Sequence, residues 1–372
     1  RGSKSNSRET NPMNAVESLK FFIPEIFLLS GAFLAVFVDL LTKNKKSIGI
    51  LSLLILTGAA YLSKNPLEPH ALFFGFFALD SLTHFFRLLA LGVVAVTILS
   101  SLAYKSLSSQ YEGEFYSLFL FMAFGLILMA ASTNLLMIFL SIEFVSLLSY
   151  LLTGFLKKDS RAKEAAIKYL LFGSLASGVM LYGMSLLYGA TGSLELSVIG
   201  ERTARSSFNV VSVIAFLFFV TGLGFKISAA PFHLWAPDVY EAAPTPVTAF
   251  LTVAPKALGF AVLLRVLLTG FAWIDWKWKP FMMLLSILTM TIGNVVAISQ
   301  NNIKRLLAYS SIAQAGYILM GIAAANEIGL KGVLIYLVAY AFTNLGAFIT
   351  VIIASNHFGN DELESYAGLA KR

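Results

Sequence analysis

The sequence predicts an all-α polytopic membrane protein, a bundle of about eleven transmembrane helices whose seventh is broken. Three observations carry that reading. The 372 residues are 58% hydrophobic and 13% charged, with a mean hydropathy of +0.79, far more apolar than a soluble domain of this length tolerates. Runs of about 20 apolar residues, enough to cross a hydrocarbon core, recur along the whole chain. One such run is interrupted by Lys226 and, five residues on, by Pro231.

The spans follow in order. The first, 22–41, ends at Lys43, Lys45 and Lys46, and the second, 47–62, at Lys64. The third covers 78–103 and the fourth 115–132. The fifth, 133–155, follows almost without a loop at 132–134, as a tight helical hairpin or as part of one mis-split element. Lys157, Lys158, Arg161 and Lys163 come after it. The sixth, 164–189, precedes Arg202 and Arg205, and the seventh, 208–240, contains the break. The eighth, 246–270, is followed by Lys277 and Lys279, and the ninth, 280–299, by Lys304 and Arg305. The tenth and eleventh occupy 303–323 and 330–355.

The denser basic clusters all follow odd-numbered spans, hence lie on one side. The positive-inside rule then puts the N-terminus outside and the C-terminal end in the cytoplasm, as in a bacterial inner membrane. A missed helix would scramble that agreement. Residues 1–12 read as a polar, tag-like N-terminus, 13–357 as one transmembrane domain, and 358–372 as a cytoplasmic loop or tail of a chain expected to be truncated. A net charge of +7 gathered between spans argues topology and not nucleic-acid binding. The absence of cysteine excludes disulfides, thiolate metal sites and Cys-ligated iron–sulfur clusters.

Ionisable groups inside the spans carry the chemistry. An ammonium in hydrocarbon costs about 3 kcal/mol or more unless it is paired, hydrated or able to lose its proton. Lys226 lies within a turn of the break expected at Pro231, with His233 just beyond, and broken membrane helices survive where protein or water satisfies the freed backbone. The bland alternative is a lysine snorkelling from a helix end. Thr248, Thr252 and Lys256 are spaced by four and line one face of the eighth span, where Pro255 also frees the carbonyl of Leu251. Lys256 is too deep for comfortable snorkelling. Glu143, a lone glutamate among lysines, shares a face with Ser146 and Tyr150 and needs a cation or a proton; Lys226 and Lys168 are both candidates. Ser310, Gln314 and Tyr317 give the tenth span a polar face, and Tyr336, Tyr340, Thr343 and Asn344 give the eleventh another. Taken singly these hydroxyls and amides are glue between helices; together they continue a wet path.

The run GFKISAAPFHLWAPDVYEAAPTPVTAFL at 224–251, continuing to Pro255 and Lys256, resembles the subunit N family of the proton-pumping NADH:quinone oxidoreductase, respiratory complex I. So do NIKRLLAYSSIAQAGY at 302–317 and YAFTNLGAF at 340–348. The resemblance covers nearly all of the chain within a wider group of cation-antiporter-like subunits. It implies an antiporter-like fold lacking its last helices, since the family continues into a second broken helix with its own lysine. It implies that Glu143 pairs with Lys226, that Lys256 is the central relay, and that Lys168 is a further lysine of the sixth helix. Gln314 stands where some relatives have histidine.

The expected function is a proton-translocating membrane-arm subunit without redox chemistry of its own. Glu143, Lys226, Lys256, Lys168 and His233 form the relay, and Thr248, Thr252 and Gln314 line its path. NADH, FMN, iron–sulfur clusters and quinone belong to partner subunits; the partners are other membrane subunits and the lipid bilayer. Two alternatives stand beside this: a cation/proton antiporter subunit exchanging sodium, which intramembrane acid clusters would favour, and a scaffold whose lysines only lock helices.

Overall fold

A computed structural model describes residues 13–64, 68–107, 111–205, 210–272 and 275–368. The polar segment 1–12 lies outside them. Each of the eleven expected spans is a helix: α2 (Ile23–Leu41), α3 (Lys46–Leu62), α4 (Ser81–Ser101), α5 (Glu112–Ala131), α6 (Leu135–Thr153), α7 (Ser160–Thr191), α9 (Val210–Ile227), α11 (Thr245–Arg265), α12 (Asp275–Ala297), α13 (Ile303–Ala324) and α14 (Glu327–Phe358). Ten of these are long and apolar enough to cross a membrane; α3, with 17 residues, is shorter. Short helices α1 (Ala15–Phe21), α8 (Leu196–Arg205) and α10 (Ala236–Ala242) lie at the ends of the bundle or beyond the break.

Local chemistry sets the helix starts. Side-chain oxygens of Asp80, Asn134, Asp159, Asn302 and Asn326 accept from backbone N–H groups in the first turns of α4, α6, α7, α13 and α14. The connection at 132–134 is a true tight turn between two helices, clamped where the Leu135 N–H donates to the Leu194 carbonyl at 2.7 Å. One expectation is corrected nearby. The third span does not begin at 78: a two-stranded hairpin, β1 (His70–Leu72) with β2 (Phe77–Leu79), precedes α4, with His70 opposite Leu79. Strands of three residues are too short to show a period of two.

At the centre stands α11, buried along its whole length and packed by α4, α5, α6, α9, α13 and α14. Hydrocarbon offers no hydrophobic drive between helices, so close packing and interhelical hydrogen bonds hold the bundle. At the α12–α13 seam a Cβ on Gly316 would lie 2.6 Å from the Met290 nitrogen, and the Ser286 hydroxyl donates to the Gly316 carbonyl at 2.8 Å.

The seventh span breaks where Pro231 directs it. Helix α9 stops at Ile227, and α10 begins at Ala236. Between them Ser228 takes φ of +56°. The freed groups find partners: Ala229 N–H on the Gly224 carbonyl at 2.8 Å, Ala230 N–H on the Thr289 hydroxyl at 3.0 Å, and Trp235 Nε1 on the Phe225 carbonyl at 3.1 Å. Trp235 also stacks on Tyr169 of α7, with ring centres 4.2 Å apart, which fixes the break against the bundle.

Beyond Phe358 the chain folds back on the start of α13. Ile303 N–H donates to the Asp361 carbonyl and Leu363 N–H to the Asn301 carbonyl, at 2.9 and 2.8 Å.

Candidate functional site

On α6, Glu143 is half-buried and accepts a hydrogen bond from Ser177 of α7. One turn along the same face, the Ser146 hydroxyl accepts from Lys226 Nζ at 3.0 Å. Lys226 is 3% exposed at the last turn of α9, beside the break. Glu143 and Ser146 thus stand one turn apart on α6, the serine holding Lys226 and donating in turn to the Ile142 carbonyl at 2.7 Å, with the carboxylate within electrostatic reach of the ammonium. No direct ion pair joins them among the described residues.

Lys226 also packs against α11. A Cβ on Gly259 would lie 2.7 Å from Ile227 Cγ2 and 3.6 Å from Lys226 Cγ, so glycine there lets the end of α9 close on α11. Gly259 is three residues from Lys256, hence on nearly the same face.

Lys256 is 2% exposed. Its Nζ donates to the Ser311 hydroxyl at 2.7 Å and to the Ser311 carbonyl at 3.1 Å, both on α13, and lies 5.6 Å from the centre of the Tyr240 ring. Among the described residues no carboxylate forms an ion pair with it. Its stripe on α11 is polar, as the spacing predicted. Thr252 accepts from Asn344 Nδ2 at 2.6 Å on its hydroxyl and from the Tyr340 hydroxyl at 2.9 Å on its carbonyl. Thr248 donates to the Tyr240 carbonyl at 2.8 Å. The Leu251 carbonyl that Pro255 leaves free accepts from the Tyr240 hydroxyl at 3.3 Å. His233, in the break, is 6% exposed with Nδ1 buried, and it lies within electrostatic reach of Lys256. Gln314 accepts from Tyr336 at the α13–α14 seam.

Lys168 sits elsewhere. Its side chain is 42% exposed, paired with Glu164 at 2.9 Å and Asp238 at 3.4 Å, so of the two candidate partners for Glu143 the buried Lys226 is the one at hand. Arg305 binds the same Asp238 at 2.8 Å and Glu241 at 2.9 Å, and this ion network ties α10 to α7 and α13.

Sequence reasoning missed several charges. Lys304, taken only as a topology marker, is 4% exposed; its Nζ donates to the Ala243 carbonyl at 2.7 Å and lies 3.9 Å from Asp361. The Thr248 hydroxyl, whose proton goes to the Tyr240 carbonyl, lies 3.5 Å from the same Ala243 carbonyl, so Lys304 and the α11 stripe approach one polar group. Lys304 lines a polar cavity of about 360 Å³ together with Glu241, Asp361 and Glu362. Glu143 is not a lone intramembrane glutamate either. Glu25 of α2, 0% exposed, pairs with Arg87 of α4, and Arg265 of α11 holds Asp80 through two 2.9 Å hydrogen bonds. These residues stand near the ends of their spans, where a charge reads as interfacial.

A family model described as NADH:quinone oxidoreductase/Mrp antiporter, transmembrane, matches residues 132–372. NADH-quinone oxidoreductase subunit N 2 of Chloroherpeton thalassium is 42% identical over 367 residues, covering 94% of this chain and 72% of its own length. A chain of respiratory complex I from Thermus thermophilus, solved with bound aureothin, superposes with a TM-score of 0.74 at 34% identity, covering 89% of this chain and 70% of that one. A chain of the Mrp complex from Dietzia sp. DQ12-45-1b gives 0.78 at 21% identity, over 93% and 66%, a likeness of fold.

Proposed function

We propose a proton-translocating role for this chain, which belongs to the transmembrane NADH:quinone oxidoreductase/Mrp antiporter family and, within it, with the subunit N proteins. In this reading it is a multi-pass membrane-arm subunit of an NADH:quinone oxidoreductase. Its neighbours are other membrane subunits, and NADH, FMN, iron–sulfur clusters and quinone stay in partner chains. The membrane is the bacterial inner membrane, with the lysine-rich end of the bundle in the cytoplasm.

The relay runs through Glu143, Lys226 and Lys256, with His233, Thr248, Thr252 and Gln314 along the path. Glu143 stands one turn from Ser146, the hydroxyl that holds Lys226, so a small shift of α6 or of the broken α9 changes the carboxylate's pull on the ammonium. Drawing the carboxylate away costs the ammonium a favourable neighbour, and its proton then passes towards Lys256. Lys256 accepts it as a neutral amine and releases it onward past Ser311 and the Thr252–Tyr340–Asn344 cluster. Lys304, buried in the lining of the 360 Å³ cavity, is the point of loading from the cytoplasm. Lys168 serves this path from outside, by holding Asp238 of α10.

The observation that carries the reading is Lys256 itself. It is a fully enclosed amine on the most buried helix, held by a neutral serine and not by a carboxylate. A structural lysine at that depth needs a counter-charge. Intramembrane acid clusters would favour sodium exchange, and the buried Glu25 is instead engaged with Arg87.

Sealed vesicles carrying the assembled complex test it. With Lys256→Met, NADH-driven proton uptake is expected to vanish, with quinone reductase activity reduced through coupling. Uptake at the parent rate would make Lys256 a scaffold residue.

A further inference from the structure

At the end of the bundle opposite the lysine clusters, a cavity of about 550 Å³ opens between the α1–α2 junction, the end of α3, the hairpin and α4. Lys20, Lys64 and Arg87 line it together with Glu68, and Phe21, Leu62 and Leu79 give it an apolar wall. Arg87 is 2% exposed. One arm of its guanidinium is bound to Glu25, while Nε is buried without a partner, as is Oε2 of Glu25. A buried guanidinium that lines a cavity, with one arm engaged by a carboxylate, adds a fixed cationic wall beside the two exposed lysines.

Two further features fix the class of ligand. The cavity lies at the membrane boundary, where α2 begins at Ile23, α3 ends at Leu62 and α4 begins at Ser81. From it an apolar track runs down the bundle: Ile23, Phe27 and Leu34 of α2 are 50, 40 and 52% exposed, Leu54 of α3 is 65% exposed, and the Phe27 ring covers Gly58 of α3. The lining carries Lys20, Lys64 and Arg87 with Glu68 and His70, and Arg87 is paired with the buried Glu25, so basic groups outnumber acids around the space and suit an anionic headgroup.

We infer that this cavity holds the phosphodiester headgroup of an anionic phospholipid, with an acyl chain laid along the α2–α3 face. Lys20 and Lys64, both exposed and on flexible stems, close on the phosphate from water. Arg87 meets it from the protein side, and the apolar wall takes the glycerol backbone. The site is independent of the proton path and stands or falls separately from it.

In the assembled complex Tyr61→Cys, a position 85% exposed beside the cavity, carries a bimane fluorophore, and the parent complex labelled alongside gives the background from partner-subunit thiols. The labelled protein is reconstituted in phosphatidylcholine vesicles in which about a tenth of the lipid has brominated chains. Brominated phosphatidylglycerol is expected to quench severalfold more than brominated phosphatidylcholine at equal fraction, since two lysines at about 1 kcal/mol each give about a thirtyfold preference for the anionic headgroup. Lys20→Ala with Lys64→Ala should abolish that preference, and Lys20→Arg with Lys64→Arg should keep it. Excess inorganic phosphate should leave it unchanged. Equal quenching by the two lipids in the parent protein overturns the inference, as does a preference that survives the alanine pair. Displacement by phosphate would make the site one for free phosphate and overturn the lipid assignment.

Discussion

Lys256 of α11 and Ser311 of α13 are joined twice, the ammonium reaching both the hydroxyl at 2.7 Å and the carbonyl at 3.1 Å of one residue. The serine hydroxyl in turn donates to the Ala308 carbonyl at 2.7 Å, so its oxygen lone pairs are aimed at the amine. A protonated lysine is held well by that arrangement, and a neutral one keeps a hydroxyl with which to exchange a proton.

Ser311→Ala removes one of two charge-assisted contacts and leaves the carbonyl. Such a bond is worth about 2 kcal/mol, so proton translocation should fall by roughly tenfold or more while the bundle still assembles. Initial rates of dye-reported proton uptake, compared with NADH oxidation on the same vesicles, check this. An unchanged ratio would mean that Ser311 only packs the helix.

Asp80 caps α4 just outside the membrane span and holds Arg265 through paired 2.9 Å hydrogen bonds, while Arg265 Nε reaches the Ala130 carbonyl at 2.7 Å. Burial would push the Asp80 carboxyl up, yet the hydrogen bonds and charge of Arg265 outweigh it and hold the group below the ordinary carboxylate range. A depressed carboxylate contributes stability that is complete above its unfolded pKa and is lost as pH falls through the folded one. Thermal melts in detergent should therefore be flat near neutrality and drop below about pH 4. Asp80→Asn should lower stability by about 3 kcal/mol at pH 7 by stranding a buried guanidinium, and should flatten that acid drop. Melts that match the parent at pH 7 would show the pair to be idle.

Much of this was legible from the chain, for a physical reason. A membrane helix must satisfy its own backbone and face apolar surroundings over about 20 residues, so each span writes itself as an uninterrupted window. The break was legible because Pro231 lacks a donor and Lys226 cannot sit in lipid unaided. The partners were not. Ser311 is 55 residues from Lys256 and Ser146 is 80 from Lys226, separations over which spacing says nothing. Lys168 and Lys304 show the limit from both sides. Each lies in the first turns of a helix at the basic end, yet packing leaves the first exposed and encloses the second.

Glu143 and Lys226 should behave as one electrostatic unit. Glu143→Gln keeps the shape and the contact with Ser177 while removing the charge, and Lys226→Met removes the other end. Translocation should fall steeply in each, and the double variant should lose little more than either single, because the second change acts on an interaction already gone. Additive losses in a double-mutant cycle on proton uptake would show two separate routes.

The sharpest prediction concerns Lys256→Arg. Arginine keeps the charge, has donors enough for the Ser311 hydroxyl and carbonyl, and can stay near the Tyr240 ring, so assembly and NADH oxidation should survive in part. It cannot give up its proton at any pH a cell reaches. If Lys256 works by cycling between ammonium and amine, the arginine variant holds its charge through the whole cycle, and translocation should fall by about a hundredfold, the order a positioned proton-transfer group contributes. If Lys256 works only as a fixed positive charge that steers protons past it, the variant should pump near the parent rate. Proton uptake per NADH oxidised, measured on sealed vesicles for Lys256→Arg beside Lys256→Met, separates the two: equal failure of both places the titrating amine at the centre of the path, and pumping by the arginine variant alone removes it from there.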